Sequence, residues 1–151
     1  MILKELINQE SKLLRRASQN LSLSLERAKM INLTKEEISF EEGEVLDSFA
    51  AKYMRAYEVL INQVLRTALT ILDEKTDNRR DDLNQAEKLG FINLSSNIDR
   101  IRILRNKIAH DYLDKEWVEI YHELIVTTPL LLSSISMSRE QLIARSIIEE
   151  E

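Results

Sequence analysis

Two glycines and one proline in 151 residues set the tightest limit on this chain. A β-protein needs turn residues every eight to twelve positions or so, and this chain cannot supply them. Leu, Ile, Glu, Lys, Arg and Ala dominate instead, the residues that lose least on entering a helix. The expected fold is all-α: one domain over 1–151, an up-and-down antiparallel bundle of about five helices.

The apolar pattern places those helices. From Ile2 to about Asn32, Leu3, Leu6, Ile7, Leu14, Ala17, Leu21, Leu25 and Ala28 recur at three- and four-residue steps, one face of a long helix. Thr34–Glu44 is polar and acidic and reads as a connector, with Thr34 and Glu37 as a capping box and Gly43 at the reversal. A second long helix is predicted from Glu44 to about Asp73. Its stripe is Leu46, Phe49, Tyr53, Ala56, Leu60, Val64, Ala68 and Leu72, widened by Val45, Tyr57, Ile61 and Leu65, as burial against several neighbours requires. A charged loop leads to a short helix from about Asp81 to Leu89, with Gly90 as its C-cap. Ser95 or Ser96 caps a fourth helix. A break at Leu113-Asp114 precedes the last one, whose buried face is Trp117, Ile120, Tyr121, Leu124, Ile125, Leu131, Leu132 and Ile135. Pro129 is expected to kink it or restart it with Thr128 as a new cap, and 136–151 to fray.

Composition removes several chemistries. No cysteine means no disulfide framework, no Cys-based zinc site and no thiol nucleophile. Two histidines are too few for a His-rich metal site, and no cofactor is expected. Lys4 and Glu5 interrupt the N-terminal apolar stretch, so it does not read as a secretory signal. The uncharged run Leu124–Leu132 is too short to cross a bilayer. The expectation is a soluble, cytoplasmic protein without membrane contact.

The net charge is −5 and the pI about 5.2, which argues against a general coater of nucleic acid. Charge is uneven, however. Between Asn97 and His110, Arg100, Arg102, Arg105 and Lys107 face a single acid, Asp99. That +3 segment sits on a body of −8, a basic site on an acidic molecule.

This segment, Arg100–Tyr112, carries the candidate chemistry. Ile98, Ile101, Leu104, Ile108 and Ala109 form its core stripe. At about 100° per residue, Asn106 and His110 share one face, and Arg105 and Tyr112 another. Arg105 and His110 stand roughly 140° apart on an ideal helix. They converge only if the helix ends or loosens near His110, or if a second subunit supplies the missing partner. The set suits phosphodiester cleavage in RNA. Histidine exchanges a proton near neutral pH. Arginine grips a phosphate through paired hydrogen bonds and stabilises charge growing on its oxygens. RNA brings its own nucleophile, the 2′-hydroxyl, so no metal is required. Asn106 can orient phosphate or imidazole, and Tyr112 can hydrogen-bond substrate or accept a modifying group. A simpler reading makes His110 a helix-end histidine favoured by the dipole, and Arg100, Arg102 and Lys107 a solvated face rather than phosphate contacts. His122 reads as a surface or groove residue.

The run Arg105-Asn106-Lys107-Ile108-Ala109-His110-Asp111-Tyr112 resembles the Arg-x4-His-x-Tyr motif of HEPN-domain proteins. Among those it is most similar to the HepT-type toxins of HEPN/MNT toxin–antitoxin pairs. The resemblance implies a dimerising helical bundle with two motif copies lining a shared cleft, and a metal-independent ribonuclease acting on tRNA or mRNA. Arg105 and His110 become the catalytic pair, with Asn106, Arg102 and Lys107 toward the phosphates. Tyr112 becomes the residue adenylylated by a partner minimal nucleotidyltransferase of the MntA type, the antitoxin. An AMP anion at the mouth of a site built for an anionic backbone would block it. The competing readings are a non-catalytic HEPN subunit that serves as binding or acceptor partner of the nucleotidyltransferase, and an inert helical interaction module.

Overall fold

A computed structural model describes residues 2–93, 98–109 and 117–149, with the backbone alone at 98, 99, 105, 108 and 109. All regular structure among them is helical: α1 (Ile2–Lys29), α2 (Phe40–Glu58), a π-helical segment (Val59–Val64), α3 (Leu65–Ile71), α4 (Arg79–Lys88), α5 (Ile98–Ala109) and α6 (Trp117–Ala144). No helix of the described residues is long and apolar enough to cross a membrane.

α1 buries the predicted face from Ile7 onward: Ile7, Leu14, Ala17, Leu21, Leu25 and Ala28 are in the core. Leu3 and Leu6, assigned to that stripe by spacing, are instead about 40% exposed. Glu10 and Ser11 lie on the inner face, and Glu10 Oε1 and Ser11 Oγ are buried without a hydrogen-bond partner.

The second rod begins earlier than its apolar stripe suggests. Ser39 is the N-cap. Its hydroxyl accepts from the Glu42 N–H at 3.1 Å, and Glu42 accepts from the Ser39 N–H at 3.0 Å, a complete capping box. Thr34 does not cap a helix: its N–H and hydroxyl both donate to Asn32 Oδ1, closing a local turn. Glu41 and Glu42 meet the positive end of the helix dipole. Lys35 pairs with Glu42 and, together with the Ser39 N–H, holds that carboxyl below the usual carboxylate range. Gly43 therefore sits inside the first turns of α2 and reverses nothing.

α2, the π segment and α3 form one rod. At the end of the π turn the Leu65 N–H reaches Leu60 O, five residues back. Val59, Leu60, Ile61, Val64 and Leu65 are all buried. The rod closes with a Schellman turn: Glu74 N–H bonds Leu69 O, Asp73 N–H bonds Thr70 O, and Asp73 adopts φ 55°. α4 is capped by the Asn78 side chain on the Asp81 N–H. It ends as predicted at Gly90, whose φ of 84° lets Phe91 N–H reach Ala86 O and buries the Phe91 ring.

α6 departs from expectation twice. It does not restart at Pro129 but runs unbroken from Trp117 to Ala144. Thr128 acts as a helix-interior residue, donating to Leu124 O at 2.6 Å, and Thr127 donates to Glu123 O at 2.8 Å. Pro129 faces solvent, where water can take the carbonyl that lost its donor. Buried Leu124, Leu131, Ser134, Ile135 and Ser138 hold the helix to the core on both sides of it. Nor do residues 137–149 fray. Leu142 is fully buried, and Ile147 and Ile148 nearly so. Another Schellman turn fastens the end: Ile147 N–H bonds Leu142 O and Ser146 N–H bonds Ile143 O, with Ser146 at φ 57°.

Two cross-helix bonds fix how the rods lie. Tyr121 donates to Asp47 at 2.8 Å, and Tyr53 meets Thr127 at 3.4 Å. Residues rise together along both chains, so α2 and α6 run parallel. α1 runs against them, because Leu3 and Lys4 share one end of the molecule with Ile71, Leu72 and Ile147. α1 packs on α2, α3, the π segment and α6; α5 packs on α2 and α6. The touching pair α2/α6 is thus the short diagonal of the bundle, with α1 and α5 on opposite flanks.

Candidate functional site

α5 is held by two means. Ile101 is fully buried and Leu104 nearly so. At its start, the Arg100 guanidinium donates from Nε to Glu123 Oε2 at 2.9 Å, with a second contact from its terminal nitrogen, tying α5 to α6. Both partners are about 40% exposed. Such a pair is worth on the order of 0.2–1 kcal/mol, so it directs the helix more than it stabilises it. Arg100 is thus paired with Glu123 and ties α5 to α6.

Beyond that tie, Arg102 and Lys107 of α5 are exposed. Arg102 and Asn106, four residues apart, share one exposed face, and Ile103 and Lys107 share the next. Each of Arg102 and Asn106 already interacts with a neighbouring residue. Ile103, which the sequence stripe does not include, is half exposed. Arg105 lies on the helical backbone of α5, which continues to Ala109. The other two motif residues, His110 and Tyr112, lie outside the described residues, as do Ser95, Ser96, Leu113 and Asp114. The structure thus places Arg102, Asn106 and Lys107 on the solvent side of one helix, and Arg105 on its last turns.

The neighbouring surface belongs to α6. Glu123 carries two loads: its carboxylate holds Arg100, and its main-chain carbonyl accepts the Thr127 hydroxyl. Since the single Thr127 proton goes there, Tyr53 is the donor in its long contact with Thr127. Burial, helped by the neighbouring Tyr57, pushes the Tyr53 hydroxyl up to about 12; the positive charge of Arg100 pulls the other way. Glu123 could not be singled out from sequence, because an acid on an exposed face is ordinary until its partner is known. His122 is exposed and lines a shallow groove with Leu33, Thr34, Val118, Glu119 and Glu123. Among the described residues, no group of three or more His, Cys, Asp or Glu side chains could hold a metal ion.

Compared with protein-family models, curated proteins and solved structures, the chain matches none.

Proposed function

We propose that this chain is a metal-independent endoribonuclease, the toxin of a HEPN/MNT toxin–antitoxin pair, acting as a homodimer in the prokaryotic cytoplasm. The observation that carries the reading is the run Arg105–Tyr112. Its first five residues end a helix whose exposed side bears Arg102, Asn106 and Lys107, in a chain with no strands among its described residues. In the reaction, the ribose 2′-oxygen attacks the adjacent phosphorus and the bond to the 5′-oxygen breaks. His110 exchanges the protons: one is taken from the 2′-hydroxyl and one is given to the departing 5′-oxygen. Arg105 stabilises the charge gathering on the phosphoryl oxygens, and Asn106, Arg102 and Lys107 hold the flanking backbone. The products are a 2′,3′-cyclic phosphate end and a 5′-hydroxyl end. Control falls on Tyr112. Its oxygen attacks the α-phosphorus of ATP in the partner nucleotidyltransferase, pyrophosphate leaves, and the tyrosine retains AMP.

A second reading keeps the partner and drops the cleavage: a HEPN acceptor subunit that is adenylylated and cuts nothing. It shares every motif residue with the first reading, so the two part only on whether RNA is cut. Expression of wild type and His110→Ala without the partner separates the two. Arrested growth and RNA ending in cyclic phosphate, for wild type alone, support the nuclease; equal growth with intact RNA in both refutes it. Incubation with the nucleotidyltransferase and ATP should add AMP mass that Tyr112→Phe abolishes.

A further inference from the structure

α5 carries the first part of the motif, and its described core side chains are Ile101 and Leu104. Apolar contact is non-directional. Two such side chains hold α5 against its neighbours more firmly than they fix its position along them. The directional contact is Arg100 on Glu123: Nε donates to Oε2 at 2.9 Å, and a second nitrogen of the same guanidinium reaches the same oxygen.

Glu123 stands on the stretch of α6 that is fastened to α2. Just before it, the Tyr121 hydroxyl donates to Asp47 at 2.8 Å. One turn after it, the fully buried Thr127 donates to the Glu123 carbonyl at 2.8 Å and accepts from Tyr53. A chain of hydrogen bonds therefore joins three helices: Tyr53 on α2, Thr127 and Glu123 on α6, and Arg100 on α5. Bonds in such a chain polarise one another. Arg100 lies close enough for its charge to act on the Tyr53 hydroxyl. α5 is thus tied to the part of α6 that is itself pinned to the core, and not to a loose surface acid.

We infer that Glu123 is a positioning residue: it sets where α5 sits on the α2/α6 pair, and with it where the motif sits. Arg105 follows Arg100 on the same helix, about 7.5 Å further along its axis, so a tilt or slide of α5 carries Arg105 with it. A misplacement of about 1 Å at a reacting group can cost on the order of a hundredfold in rate. Only the consequence for cleavage rests on the ribonuclease reading; the placement of α5 does not. The pair is exposed, so its loss shifts a local equilibrium by roughly two- to fivefold without unfolding the bundle.

Glu123→Gln removes the charge and keeps the shape, which weakens a charge-assisted bond to a neutral one. Amide hydrogen exchange is the first readout. Protection over amides 102–109 should fall by about two- to fivefold, while the urea midpoint moves by less than about 0.5 M. The exchanged pair Arg100→Glu/Glu123→Arg should restore protection, because it rebuilds the tie with its charges reversed. Cleavage of an RNA oligonucleotide is the second readout. Glu123→Gln should lower kcat by at least about twofold with KM unchanged, and the exchanged pair should recover it. Unchanged protection of α5 in Glu123→Gln overturns the inference, as does an exchanged pair that stays unprotected or an unchanged kcat. A lower KM at unchanged kcat also overturns it, since the acid would then mask Arg100 from RNA instead of placing the helix. A larger drop in the urea midpoint, with protection lost evenly over α2, α5 and α6, assigns Glu123 to the fold as a whole and refutes a positioning role. A wild type that cuts no RNA refutes the ribonuclease reading, and the exchange measurement then decides the placement of α5 by itself.

Discussion

Leu142→Ala tests the fold where periodicity and structure disagree most. The segment after Ser136 is weakly patterned and closes on three glutamates, yet Leu142 is fully buried. Truncating a buried leucine removes its transfer energy and leaves a cavity, together about 2–5 kcal/mol. The Leu142 main-chain carbonyl also accepts from Ile147 N–H; alanine keeps that bond, so the loss measured is that of the buried side chain. About 3 kcal/mol is the expected loss, within that range. With an m-value of about 2 kcal/mol/M in urea, the midpoint should fall by roughly 1.5 M, followed by far-UV circular dichroism. Deleting 137–151 should be far worse. It removes three buried aliphatic side chains worth roughly 5–9 kcal/mol at 1.5–3 each. It also removes the Ser138 hydroxyl that donates to Phe91 O at 2.7 Å and the Arg145 guanidinium that stacks on the Phe91 ring and donates to Leu89 O. That sum is comparable to the whole stability of a domain, so the shortened chain should not fold. An unchanged urea midpoint in Leu142→Ala would refute the reasoning and return the segment to a frayed tail.

Two further changes probe the bundle. Gly43→Ala adds a methyl to open space within α2 and should stabilise by about 0.5–1 kcal/mol, raising the melting temperature by a few degrees; a lower value would mean that Gly43 is needed at a turn after all. Tyr53 holds its proton up to about pH 12 because of burial, whereas the unfolded chain releases it near 10. A raised folded pKa contributes stability that is complete below about pH 10 and lost as pH climbs to about 12, up to roughly 2–3 kcal/mol. Tyr53→Phe should flatten that alkaline loss in urea titrations at rising pH, and an unaltered slope would assign the loss to other groups.

Much of this molecule is decided locally. Scarce glycine and proline and three- and four-residue apolar spacing are enough for an all-helical chain, for the inner face of α1 and for the Gly90 cap. A helix is closed by bonds within its own segment, and one glycine at positive φ can end it. The eight-residue run at Arg105 is likewise legible without neighbours, since its residue types and spacing are chemical facts before folding. Other features needed the assembled bundle. Leu3 and Leu6 fit the α1 stripe by angle and still face water, because burial depends on whether a neighbour extends that far. Thr34 and Glu37 read as a capping box, but the box forms at Ser39 and Glu42, where α2 begins. Pro129 costs a helix one bond whatever the context, but only contacts on both sides of it could keep α6 continuous. Glu123 became part of the site when Arg100 came to lie against it. Local patterns mark most of the helical segments and the residue types they carry. Which faces are covered, and which charges are already spent, follows from surfaces far apart in sequence meeting in space.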